Sequence, residues 1–240
     1  MQNNPLKPQT VRAFLRALQS FVEHQNSDTA LGHWQKYLLS EGRWEFGTYV
    51  RQIKKIDSQH IPAIVSSLSQ GQIESKLWLY SVLKDVLPQD KYDFHFAGGW
   101  TGLTALVGLW LFPELFKNCE SFDIDPRCAD VAKFLNEPYS WNGLFSATTL
   151  DLKQFSYQPQ KPQILVNTIC EHIDFANWYQ QVPAGQFLVL QSNNLKGAEG
   201  HISCVDSLQE FMGMAPLKDL LFAGELELFD YTRFMLIGAK

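Results

Sequence analysis

One stretch constrains the fold of this chain more than any other. It is Tyr92-Asp-Phe-His-Phe-Ala-Gly-Gly-Trp-Thr-Gly-Leu-Thr-Ala-Leu106, followed by Ser121-Phe-Asp-Ile-Asp-Pro126. The pattern predicts a strand, a glycine-rich turn, a helix start, and a second strand ending in carboxylates. Gly98, Gly99 and Gly102 let the backbone turn sharply and approach a ligand, which the free N–H groups of the next helix can face. Asp123 follows Gly102 by about 20 residues, the spacing at which a nucleotide-binding fold places its ribose-binding acid. A tight turn with no ligand satisfies the same glycines, and it is the acids of the second strand that favour a nucleoside-bearing cofactor. Asp125 before Pro126 also suits a helix N-cap with proline in the first turn. Asp123 shows no such local task and is the better ligand candidate.

Around that unit the periodicity changes once. Residues 1–9 are polar with two prolines and read as a loose arm. From Thr10, a plausible N-cap, Val11, Phe14, Leu15, Leu18, Phe21 and Val22 keep helical spacing. Further helical stretches contain Trp34 to Leu39, Thr48 to Ile56, Ile61 to Leu68 and Ile73 to Leu87. After Pro88-Gln-Asp90, strands are expected at 93–97, 120–124, 145–149, 164–167 and 187–191. Helices at 101–110, 129–135 and 175–181 alternate with them, and 220–229 with 231–238 forms a closing pair. The expected fold is α/β: a Rossmann-like, seven-stranded, mostly parallel sheet with helices on both faces, plus an N-terminal helical region. The expected division is 1–88 as a helical lid or substrate region and 89–240 as the cofactor-binding domain.

Charge and cysteine usage narrow the partners. The net charge of -5 gives no global electrostatic case for nucleic-acid binding, though it leaves a tRNA or protein acceptor open. Arg51-Gln-Ile-Lys-Lys55 reads as a solvated helix face. Cysteines at 119, 128, 170 and 204 form no CxxC pair, which favours a reducing cytoplasm. No run is long and apolar enough to span a bilayer, and the polar N-terminus lacks a signal peptide's apolar core. A soluble cytoplasmic protein without a membrane partner is expected. No GxSxG elbow, Walker loop or HExxH helix is present, which removes common hydrolase, NTPase and zinc-protease readings.

Over about residues 90–240 the ordered pieces resemble a class I S-adenosylmethionine-dependent methyltransferase. Phe96-Ala-Gly-Gly-Trp-Thr-Gly102 resembles that family's cofactor loop and Phe122-Asp-Ile-Asp125 its ribose-binding strand end. Thr148-Thr-Leu-Asp-Leu152 resembles the third strand's exit. The resemblance implies S-adenosylmethionine as cofactor, with Asp123 on the ribose hydroxyls, Asp151 on the adenine, and Gly98, Gly99, Trp100, Gly102 and Asp125 nearby. Two positions depart from the family pattern: Phe96 stands where an acid often opens the motif, and Trp100 where the middle glycine stands.

The fourth strand exits through Val166-Asn-Thr-Ile-Cys-Glu-His172, where this family places groups that meet the methyl acceptor. By resemblance to amine methyltransferases, the Asn167 amide oxygen would accept a hydrogen bond from a substrate amine. Glu171 and His172 would orient the acceptor or relay a proton, or else simply begin the next helix as exposed caps. The fifth exit, Leu190-Gln-Ser-Asn-Asn-Leu195, offers Gln191, Asn193 and Asn194 to a polar substrate, with His201 a few residues on. A turn satisfied by its own side chains explains the same amides. The two exits together also resemble a group of small bacterial and phage methyltransferase-like proteins. Cys170-x-His172 and His201-x-x-Cys204 raise a Cys2His2 metal site, but the spacing is shorter than in most structural zinc sites and no metal is expected.

The leading expectation is therefore a methyltransferase acting on a small polar, amine-bearing molecule. Tyr49, Trp78 and Tyr80 are candidate pocket walls, with core packing the more natural role for Trp78. The all-helical N-terminus and Phe122-Asp-Ile-Asp-Pro126 also resemble nicotianamine synthase, which transfers the aminobutyrate arm of the same cofactor. A third reading, prompted by Trp100, is a binding module without turnover. A dinucleotide oxidoreductase is weaker still, since holding both nucleotides needs a second half.

Overall fold

The computed structural model describes residues 5–24 and 29–240. The expected arm falls partly outside these residues, and from Leu6, whose N–H donates to Trp110 O at 2.9 Å, the chain is anchored. The first helix, α1 (Pro8–His24), begins before Thr10, because proline without its N–H fits a first turn. It is followed by α2 (Thr29–Ser40), α3 (Glu45–Ile53), α4 (Ile61–Ser67) and α5 (Gln70–Val86).

The alternating region then runs β1 (Tyr92–Ala97), α6 (Leu103–Leu111), β2 (Phe116–Asp123), α7 (Pro126–Leu135) and α8 (Glu137–Trp141). It continues β3 (Phe145–Thr149), β4 (Gln163–Asn167), α9 (Phe175–Gln181), β5 (Phe187–Asn193), α10 (Leu208–Met214), β6 (Asp219–Glu227) and β7 (Thr232–Ala239). Short α8 and α10 are not foreseen from the sequence, since neither is long enough to establish a helical period. The first part of β2, with Lys117 and Asn118 exposed, shows no apolar run, yet its backbone pairs with β1.

The seven strands lie in the order β3-β2-β1-β4-β5-β7-β6, with β7 antiparallel to both neighbours. This is a Rossmann-like fold, and the strand order reverses between β1 and β4. Alternation along each strand sorts the core into two layers. Phe94, Phe96, Ile164, Val166, Val189, Met235 and Ile237 share one cluster with α1 to α7. Leu165, Leu188, Leu190, Phe234 and Leu236 share the other with α9, α10 and Phe155. All nine residues of α6 are buried, as expected of a helix apolar on every side between the sheet and the N-terminal helices. There Trp110 meets Phe14, Phe46 and Tyr49 at ring centroid distances of 5.6, 4.6 and 5.4 Å. No helix among the described residues is long and apolar enough to cross a membrane.

Candidate active site

A cavity of about 420 Å³ opens at the carboxyl ends of β1, β2 and β4, beside the point where the strand order reverses. That crevice is where open α/β sheets bind ligands, and the volume suits a nucleoside-sized molecule. One side is built by the glycine turn. Gly102 caps α6 with φ 72°, a left-handed conformation that only glycine adopts freely. Gly99 packs against β2 so closely that a Cβ there would lie 1.9 Å from Ser121 Oγ. Trp100, with φ 48°, is the one non-glycine residue in the left-handed region among the described residues.

Asp123 holds this turn, a task the sequence does not reveal. Trp100 N–H donates to one carboxylate oxygen and Asp125 N–H to the other, each at 3.1 Å. A carboxylate offers about four lone-pair sites, so Asp123 keeps capacity for a ligand in the cavity that it lines. Asp125 stands outside that cavity and caps α7, accepting from Arg127 N–H at 2.9 Å. The Arg127 guanidinium lowers its carboxyl pKa. Asp151 also lies outside the cavity lining, as the cap of a short turn, with Lys153 N–H donating at 2.9 Å.

The other side is built by side chains. Glu171 and His172 line the cavity. Glu171 is buried, not an exposed cap: its Oε1 accepts from Asn193 Nδ2 and, at 3.5 Å, from Arg233 Nη2, while Oε2 is buried without a partner. His172 is exposed at the rim but crowded on its inner side. Its pKa is lowered, chiefly by partial desolvation, with His201 adding and Glu171 opposing. Asn167 is fully buried behind this wall, and the oxygen expected to meet an amine accepts Ile169 N–H at 3.0 Å instead.

The fifth-strand amides are likewise turned to the protein. Gln191 Nε2 donates to Ser75 O at 3.4 Å, Asn193 clamps Glu171, and Asn194 Oδ1 accepts Thr232 N–H at 2.8 Å. None of the three lines the cavity, nor does His201, whose ring packs 4.5 Å from that of His172. Tyr49 and Tyr80 belong to the core, and Trp78 packs against Phe222.

The N-terminal helices add three cavity residues to which the sequence pattern assigns no role: Ser67 from α4, and Gln72 and Lys76 from α5. The signal was present. Ile73, Lys76, Leu77 and Tyr80 follow helical spacing, so Lys76 sits on a stripe that otherwise goes inside. Its ammonium reaches Gln72 Oε1 at 2.6 Å, and burial, reinforced by Arg233, lowers its pKa to about 7.

No protein-family model matches the sequence. Solved structures do match in fold. Magnesium protoporphyrin IX methyltransferase from Synechocystis PCC 6803, with S-adenosyl-homocysteine bound, aligns at a TM-score of 0.53 and 12% identity, over 86% of this chain and 97% of that one. The CurJ carbon methyltransferase aligns at 0.52 and 14% identity, over 98% and 82%. Geranyl diphosphate C-methyltransferase from Streptomyces coelicolor A3(2) aligns at 0.50 and 11% identity, over 72% and 82%. At such identities the likeness establishes the fold.

Proposed function

We propose that the protein is an S-adenosylmethionine-dependent methyltransferase acting on a small polar acceptor. The observation that carries this reading is the placement of Asp123 and the glycine turn together in one cavity where the strand order reverses. The cavity fits the cofactor: it is large enough, a carboxylate with free lone pairs faces it, and Gly98 and Gly99 bring backbone to its wall. The cofactor supplies a methyl group already activated on a sulfonium.

The chain's own work is then chiefly positioning. Asp123 takes the ribose hydroxyls, and the start of α6 approaches the cofactor through Thr101 and Leu103. Glu171 and His172 face the acceptor, and Asn167, Asn193 and Arg233 hold that wall in place behind them. Because α4 and α5 contribute Ser67, Gln72 and Lys76, the N-terminal helices help select the acceptor. Lys76, whose pKa burial lowers to about 7, lines the cavity and is placed to take a proton from it. The Asn167 oxygen, which would mark an amine acceptor, is engaged with Ile169 N–H, and the proposed acceptor class is small and polar.

Calorimetric titration with S-adenosylmethionine, then mass spectrometry of the nucleoside product, tests the proposal. Binding followed by S-adenosylhomocysteine supports methyl transfer, whereas methylthioadenosine would show aminobutyrate transfer. A folded protein that does not bind the nucleoside overturns both.

A further inference from the structure

Beside the exit of β4, three side chains that can hold a metal converge. One ligand-capable atom from each of Glu171, His172 and His201 lies within 4.8 Å of the other two. Both imidazoles are already fixed at Nδ1. His172 Nδ1 lies 3.2 Å from Gly200 O, and His201 Nδ1 lies 2.8 Å from Leu195 O. A carbonyl only accepts, so in each neutral ring Nδ1 carries the hydrogen and Nε2 presents a lone pair. Metal-binding histidines are oriented in this way, the second nitrogen donating to a carbonyl or carboxylate.

Both carbonyls come from one loop, and that loop is docked on the cluster itself: Ile202 N–H and Ser203 N–H donate to Glu171 O at 2.8 and 3.0 Å. Glu171 supplies an independent indication. Asn193 and Arg233 both engage Oε1, which leaves Oε2 buried with no hydrogen-bond donor. An unmet buried carboxylate oxygen is costly, and a cation is a natural partner for it.

We propose that Glu171, His172 and His201 bind one divalent first-row transition cation through two imidazole nitrogens and one carboxylate oxygen. The mixed nitrogen and oxygen set suits Zn²⁺, Co²⁺, Ni²⁺ or Mn²⁺ better than Mg²⁺ or Ca²⁺, which favour oxygen ligands alone. Three protein ligands leave a coordination position open, the arrangement of a site that meets a substrate and not of a structural one. Glu171 and His172 line the cavity, so the open position faces it. The cysteines take no part. Cys204 Sγ lies 3.4 Å from Nδ1 of His201, the nitrogen already held by Leu195 O, and Cys170 Sγ is buried against Asn167 O.

The test uses the whole chain, dialysed against a chelator and titrated without nucleoside, so that it fails independently of the cofactor proposal. Co²⁺ binding is read by visible absorbance and Zn²⁺ binding by calorimetry. One equivalent is expected, weakened on the order of 100-fold in both His172→Ala and His201→Ala and unchanged in Cys204→Ser. Circular dichroism checks that each variant is folded, as expected since both histidines lie outside the buried core. Absence of stoichiometric binding by the folded chain overturns the proposal. So does equal affinity in the histidine variants, or a loss in Cys204→Ser as large as in His201→Ala.

Discussion

On the β1–β2 side of the crevice the groups offered to a ligand are mostly backbone, held by two glycines, Trp100 and the Asp123 carboxylate. On the β4–β5 side they are side chains, and buried charges position them: Glu171 is clamped by Asn193 and Arg233, which face each other across β5 and β7. Backbone geometry restricts which residue types fit, whereas a side-chain network depends on partners distant in sequence. The first side should therefore tolerate changes that keep its φ values, and the second should fail when one charge is removed.

The sharpest way to break the contrast is Glu171→Ala. It leaves Arg233 buried without its carboxylate partner, its other contacts being Thr168 O at 3.4 Å and the face of the Tyr231 ring at 5.7 Å. The expected loss is about 3–5 kcal/mol of unfolding free energy by urea titration. A loss below about 1 kcal/mol would mean that this side is not held by charge. Glu171→Gln should lose less, because the amide keeps an oxygen for Asn193.

Lys76, which α5 brings to the cavity, makes the fold sensitive to pH. Its folded pKa of about 7 lies below the ordinary 10.5, so folding disfavours its proton. Below pH 7 both states hold the proton and the folded state bears the full cost. Between about pH 7 and 10.5 only the unfolded state holds it, so stability from this group rises with pH at up to about 1.4 kcal/mol per unit, then levels off. Lys76→Met should raise Tm most at pH 6–7 and remove that slope. An unchanged pH profile would place the ammonium in contact with water.

Asp123 joins the two kinds of construction, since a side chain holds a backbone turn. Asp123→Ala should weaken S-adenosylmethionine binding by roughly 100-fold, about 3 kcal/mol, through the lost ribose contact and the loosened turn. Unchanged affinity in calorimetry would remove Asp123 from the cofactor site.

How much was legible in the sequence follows the same division. Gly98, Gly99 and Gly102 announced the turn because few other residues adopt or fit that backbone, and the continuous apolar runs of β4 and β5 announced buried parallel strands. The roles of Asn167, Gln191, Asn193 and Asn194 were misplaced for a physical reason. An amide at a strand exit looks alike whether it faces a ligand or a neighbour, and only the register that sets Asn193 opposite Arg233 distinguishes the two. Arg233 itself sits in a strand that otherwise reads as a plain edge hairpin. Asp151 matched a position in the resemblance, yet the local chain uses it as a cap.

The smallest effect tests the backbone side most directly. Trp100 holds φ 48°, a conformation that costs a residue with a Cβ about 1 kcal/mol or more and glycine almost nothing. Replacing it removes the indole as well, so a single variant mixes two effects. The pair Trp100→Gly and Trp100→Ala separates them, because both lose the ring and only alanine retains the Cβ. Unfolding free energies should place Trp100→Gly about 1 kcal/mol above Trp100→Ala, although glycine's larger unfolded-state entropy works the other way. An alanine variant as stable as the glycine one would mean that the turn relaxes out of the left-handed region once the indole is gone. In that case the indole packing, and not the Asp123 carboxylate on the Trp100 N–H, is what holds the turn in its observed shape.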